Sequence, residues 1–183
     1  MAGRIANEKF RSKVMSAADA AALIEPGSKI GFAGFTGSGY PKEFPVALAA
    51  RIKEERVKVV DFRIDSFTGA STAPELDGEL AGADGINFRT PYQSDPVLRN
   101  KINEGSTYYS DIHLSHLANQ LAYGFFGDLD YAVIEATRIN ADGTVVPSSS
   151  VGLNRTYLSL AKHIIIEVNE RMSEGLDGIH DIY

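Results

Sequence analysis

The chain is predicted to fold as an α/β domain, a mostly parallel sheet with flanking helices. Three observations predict it. Short apolar runs rich in β-branched residues, at 29–32, 57–64, 86–88, 131–136 and 163–168, alternate with segments of helical period. Loops of small residues follow several of these runs, at 34–39, 67–72 and 148–152, and in open α/β sheets ligands collect beyond the carboxyl ends of the strands. Finally, 183 residues with 44% apolar content suit one domain with a sizeable core. No repeat, low-complexity tract or linker divides the chain.

Ser16 and Asp19 frame the start of a helix through about Ile24, and Glu25-Pro-Gly27 stops it. Residues 29–32 form a buried strand. Then comes Gly31-Phe-Ala-Gly34-Phe-Thr-Gly37-Ser-Gly39-Tyr-Pro41, with four glycines in nine residues. Such a loop permits positive φ and close backbone approach to a ligand. The N-terminus of the helix it opens, 41–56, favours an anion or a developing oxyanion. Phe44, Leu48 and Ile52 share one face of that helix. A strand at 57–64, a loop at 67–72, a short helix at 75–81 and a strand at 86–88 follow. Asp95-Pro96 caps and opens a helix that Gly105 ends. Residues 108–114 have strand composition, and a helix starts at Ser115 or His116 and runs to about Tyr123. The strongly apolar strand 131–136 leads to a turn at 141–143 and a third small-residue loop at 145–152. A helix at 154–161 and a strand at 163–168 complete the regular elements, and 171–183 shows no clear period.

Composition narrows the chemistry. A net charge of −6 with no Lys/Arg run argues against nucleic acid, and no apolar run reaches membrane-spanning length. The absence of cysteine removes disulfides, thiolate nucleophiles and thiolate-bound zinc. The N-terminus carries no apolar signal region, so a cytoplasmic protein is expected. The glycines do not form G-x-G-x-x-G, because Lys42 stands where the third small residue belongs. No Gly-Lys-Ser/Thr exists either, which disfavours nicotinamide and Walker-type nucleotide sites. His113 and His116 straddle a predicted strand–helix break, so no metal site is expected. Ser149 and Ser150 lack a nucleophile elbow. Glu135, inside an apolar strand, reads as a base or nucleophile of shifted pKa or as a structural partner of Arg138, with the structural role preferred.

Several segments, in fixed order, resemble the acetyl-CoA hydrolase/transferase family of class I CoA-transferases. They are Gly34-Phe-Thr-Gly-Ser-Gly-Tyr-Pro-Lys42, Thr68-Gly-Ala-Ser-Thr72, Leu76-Asp-Gly-Glu-Leu80, Arg99-Asn-Lys-Ile-Asn103, Asp111-Ile-His-Leu114, Val133-Ile-Glu-Ala136, Pro147-Ser-Ser-Ser-Val-Gly152 and Ile166-Glu-Val-Asn169. The resemblance runs from about Arg11 to Tyr183.

The resemblance implies an enzyme that moves CoA between acetyl-CoA or succinyl-CoA and small carboxylates, through an acyl-enzyme anhydride and a glutamyl-CoA thioester. Coenzyme A is then a substrate, with no other cofactor and no metal. Acetyl-CoA hydrolysis and a non-catalytic CoA- or carboxylate-binding module are the alternative functions. Gly37, Ser38, Gly39 and Tyr40 would line the site near the acyl group, and Ser71 and Ser94 would lie near the substrate carboxylate. Family members are longer, with the nucleophilic glutamate in a second domain. Residues 1–183 therefore correspond to an incomplete N-terminal domain with no catalytic residue of its own, inactive alone. Acyl-CoA, small carboxylates and the second domain are the expected partners, with a homodimer when full length.

Overall fold

The computed structural model describes residues 3–180 except 57, 59, 60 and 70–72. Two short helices come first: α1, Glu8–Arg11, and α2, Ala17–Ala21. In α2, Ser16 accepts from the Asp19 amide while Asp19 accepts from the Ser16 amide, a reciprocal cap worth about 1 kcal/mol. Strand β1, Lys29–Phe32, leads through the glycine loop into α3, Glu43–Glu55. Next are β2, Ile64–Phe67; a wide π turn, Pro74–Gly78, running into α4, Glu79–Gly82; β3, Ile86–Thr90; α5, Pro96–Asn103; and β4, Tyr108–Tyr109. The chain returns through α6, Leu114–Ala122, to the long β5, Tyr131–Ile139, then β6, Val145–Pro147; α7, Asn154–Leu160; and β7, His163–Val168.

Among the described residues, seven strands make one sheet, with the path β4-β3-β2-β1-β5-β6 and β7 beside β5. All pairings are parallel except β5–β6. The chain steps outward from β1 to β4, then crosses back to the other side of β1 as β5. The β1–β5 boundary is thus the point where strand order reverses, the place where doubly wound sheets hold ligands.

Each face of the sheet carries its own core. Ile30, Phe32, Ile64, Ile86 and Val133 pack with Phe44, Leu48 and Ile52 of α3 and Leu98 of α5. On the opposite face, Phe67 and Ala132 pack with Leu117 and Leu121 of α6 and Tyr157 of α7. Burial on both faces is why β1 and β5 read as continuous apolar runs rather than alternating ones. Full burial of a side chain such as Leu48 or Ile52 contributes roughly 1.5–3 kcal/mol.

Several expectations need correction. The strand placed at 57–64 begins only at Ile64; of the described residues before it, 61–63 are not strand, and 57, 59 and 60 lie outside the described residues. The strand of 108–114 is cut to Tyr108–Tyr109, because β4 is an edge strand that pairs β3 over two positions. Residues 145–147, expected in a loop, form β6 and fold back on the second half of β5. The helix after 114 starts one residue earlier than expected, at Leu114.

Candidate active-site loops at the strand-order switch

The glycine loop leaves β1 at the switch point. Its tip is a tight reversal in which the amides of Phe35 and Ser38 each donate to the other's carbonyl, at 2.8 and 3.0 Å. Thr36 at the turn has φ 51° and Gly39 beyond it φ 68°. The loop behind β6 clamps this tip. Ser38 Oγ and Ser149 Oγ lie 2.8 Å apart, and Ser150 Oγ donates to the Ser38 carbonyl at 3.0 Å. The approach leaves no room for side chains. A methyl on Gly39 would fall 2.6 Å from Ser150 Oγ, and one on Gly152 would fall 2.8 Å from the Gly34 carbonyl oxygen.

Two carboxylates hold the exit of the loop. Glu135 of β5 and Glu167 of β7 are register neighbours, so they point to the same face of the sheet. Glu135 is fully buried and accepts from Lys42 Nζ at 2.6 Å, from Asn169 Nδ2 at 2.9 Å and from the Ser148 hydroxyl. Lys42 Nζ also donates to the Tyr40 carbonyl at 2.9 Å and sits 4.2 Å from the centre of the Tyr40 ring. Glu167 accepts from the amides of Lys42, Glu43 and Phe44, at 2.7, 3.1 and 2.9 Å. These are the first, otherwise orphaned donors of α3. The helix N-terminus expected to receive an anionic ligand is therefore filled by the protein's own carboxylate. Glu135 has the structural role, but its partner is Lys42 rather than Arg138, which pairs with Glu174 at 3.5 Å.

The proposed site residues separate into groups. Gly37 is exposed at the tip of the turn, Ser38 is half-buried, and Gly39 is buried beneath the Ser150 side chain. Tyr40 is buried with the α3 face; its hydroxyl donates to Glu75 at 2.9 Å. Burial, reinforced by the Glu75 hydrogen bond and charge, pushes its phenol up to about 12. Ser71 lies outside the described residues. Ser94 is exposed on the loop after β3, its carbonyl accepting from Arg99 Nη2 at 3.1 Å. The cap of α5 is Asp95, whose carboxylate takes the Val97 and Leu98 amides, so Ser94 is not needed there. His113 and His116 stand edge to face at 5.1 Å, both exposed.

Sequence reasoning missed Glu167 and the buried pair of Arg89 with Asp77, bonded at 3.0 and 2.9 Å through two guanidinium nitrogens. The signal was present for each. An acid within Ile-Ile-Ile-Glu-Val, or an arginine within Ile-Asn-Phe-Arg-Thr, leaves water only with a partner, and Glu167 is half-buried and Arg89 fully buried.

The doubly wound sheet is shared with solved CoA-transferases. Glutaconate CoA-transferase from Acidaminococcus fermentans superimposes with a TM-score of 0.63 over 85% of this chain and 68% of its own, at 15% identity. The chain belongs to the acetyl-CoA hydrolase/transferase family: the profile of that family's N-terminal domain matches residues 2–183. Its relatives include a succinyl-CoA:acetate CoA-transferase of Clostridium kluyveri, 42% identical over 98% of this chain. An acetyl-CoA hydrolase of Schizosaccharomyces pombe is 36% identical over 100% of it. The chain spans about a third of these relatives' length, 33% and 36%. Among the described residues no helix is long and apolar enough to cross a membrane.

Proposed function

We propose that the natural protein carrying this chain is a CoA-transferase that moves CoA between acetyl-CoA or succinyl-CoA and small carboxylates, and that residues 3–180 supply one wall of its active site. The clamped loop of 34–40, within the stretch matched to the acetyl-CoA hydrolase/transferase family, carries the reading. In the reaction that the family resemblance implies, a glutamate carboxylate attacks the thioester carbonyl. CoA thiolate leaves and an acyl-glutamyl anhydride forms. The thiolate then attacks the glutamyl carbonyl, releasing the acyl group as a carboxylate, and an acceptor carboxylate resolves the glutamyl-CoA. That glutamate belongs to the rest of the protein. Each addition places negative charge on a carbonyl oxygen, which backbone N–H donors held without reorganisation stabilise. With the Phe35 and Ser38 amides spent on each other and α3 capped by Glu167, the donors left are other amides of the loop, that of Gly37 among them.

Water would intercept both intermediates. The close packing of the two loops at Gly39 and Gly152 favours transfer over hydrolysis, because it leaves little space there for an activated water. The S. pombe relative's name supports the hydrolase as second reading. The natural protein, incubated with acetyl-CoA and succinate, should convert acetyl-CoA to succinyl-CoA with total thioester conserved, and acetyl-CoA should be lost more slowly when succinate is omitted. Equal loss with and without succinate would identify a hydrolase, and no loss in either condition would overturn both readings. We further assign it to the cytoplasm, as a homodimer whose mass sizing chromatography would report.

A further inference from the structure

We propose that Glu135 and Glu167 are positioning residues for the glycine loop, acting through Lys42 and the first amides of α3; the inference rests on the transferase reading given above. The loop carries no large side chain of its own to anchor it between Phe35 and Tyr40. It is closed at its tip by the Phe35–Ser38 pair and touched from one side by Ser149 and Ser150. Its other end must be fixed as well, or the tip can swing about Gly39. The two acids do this from neighbouring strands. Glu167 takes three backbone donors, so the position of residues 42–44 is set by β7. Glu135 takes the Lys42 ammonium, whose second bond is to the Tyr40 carbonyl, one residue from Gly39. Through Ser148 the same carboxylate reaches the base of the clamping loop, and through Asn169 the end of β7. One buried acid thus references both walls of the site to the sheet.

This is more than a structural ion pair requires. A buried carboxylate needs a cation and donors for its remaining lone pairs. It does not need those donors to come from the exits of two loops at the switch point. An oxyanion wall gains from fixed donors because displacement of about 1 Å can lower a rate by up to about a hundredfold.

The test uses Lys42→Met, Lys42→Arg and Glu167→Gln in the natural protein, with Lys53→Met as a control; Lys53 is an exposed lysine of α3 that pairs with Glu79. Lys42→Met and Glu167→Gln should lower kcat by about tenfold to a hundredfold, with KM for acetyl-CoA moving less than about threefold, because the loop acts on the developing charge rather than on ground-state binding. Lys42→Arg should recover most of the loss and Lys53→Met should show none. Hydrogen exchange supplies a readout independent of turnover. The Phe35 and Ser38 amides should exchange at least about tenfold faster in Lys42→Met and Glu167→Gln, while amides of β1 and β5 keep their protection. Unchanged exchange at the loop, or acceleration spread equally over β1 and β5, overturns the positioning role. If the parent protein moves no CoA at all, the transferase reading falls and the exchange pattern alone decides whether the acids hold the loop. An active parent whose variants retain its kcat sinks the inference and leaves the transferase intact.

Discussion

Replacing Gly31 with alanine should cost about 1–3 kcal/mol by overpacking, although Gly31 lies in a regular strand and is not among the glycines with positive φ. The added methyl would sit 2.5, 2.7 and 2.9 Å from Cδ1, Cγ and Cε1 of the Tyr157 ring. Carbon atoms rest about 3.5–4.0 Å apart, so the ring must retreat by roughly 1 Å. It has nowhere to go. Tyr157 is fully buried and belongs to the same core cluster as Phe67, Leu117 and Ala132. Tyr157→Ala alone should cost about 3–5 kcal/mol, as for other large aromatics, but the space it opens accommodates the methyl. The double variant should therefore be more stable than the sum of the singles by about 1–2 kcal/mol. Urea unfolding followed by circular dichroism measures all four species, and heating should show Gly31→Ala melting about 2–12 °C below the parent. Singles that add within about 0.5 kcal/mol would show that ring and strand do not meet, and the reasoning would fail.

Other perturbations have definite signs. Gly39→Ala combines a left-handed φ of 68° with contacts of 2.6 and 2.8 Å to Ser150 Oγ and N. It should cost about 1–3 kcal/mol and displace the tip, lowering kcat of the natural protein; an unaltered kcat would place the tip away from the chemistry. Asp77→Ala removes the bidentate acceptor of the fully buried Arg89 and should destabilise by about 3–5 kcal/mol in urea titrations; a loss below about 1 kcal/mol would contradict that. The Tyr40 phenol, pushed up to about 12 mainly by burial, favours its protonated form when folded. Its contribution is complete below the unfolded value near 10 and drains as pH rises from about 10 to 12. Tyr40→Phe should flatten the fall of melting temperature across that window, and parallel curves for both proteins would refute the assignment.

The alternation of strands and helices was legible because the centre of the sheet is buried on both faces, so β1 and β5 are near-continuous apolar runs and the α3 face carries Phe44, Leu48 and Ile52 at helical spacing. Caps were equally local: Ser16 with Asp19, and Asp95 before Pro96, behave as their types dictate. What failed was non-local. The β-branched run 57–64 has strand propensity, yet the β2 ladder begins at Ile64 and continues through Asp65, Ser66 and Phe67, because pairing with β1 and β3, not propensity, selects the residues. Val145–Pro147 is a strand only because β5 extends past β1 and offers it a free edge.

The site shows the same division more sharply. The glycine loop stood out by composition, and its place at a switch point followed from the fold class. The identity of its anion did not. A helix N-terminus after a glycine loop reads locally as a vacant anion site. Only the tertiary register of β5 and β7, which sets Glu135 beside Glu167, shows that α3 already holds its anion from over 120 residues away, the span from Phe44 to Glu167 being 123. The correction moves the catalytic argument from the helix dipole to the loop backbone. An occupied helix terminus attracts no further negative charge, but it is rigid. For the proposed transfer, whose intermediates must be kept from water, a wall held by the buried Glu135 and the half-buried Glu167 serves better than a second open anion site, which would bind the substrate carboxylate in its ground state and leave the transition state no better stabilised.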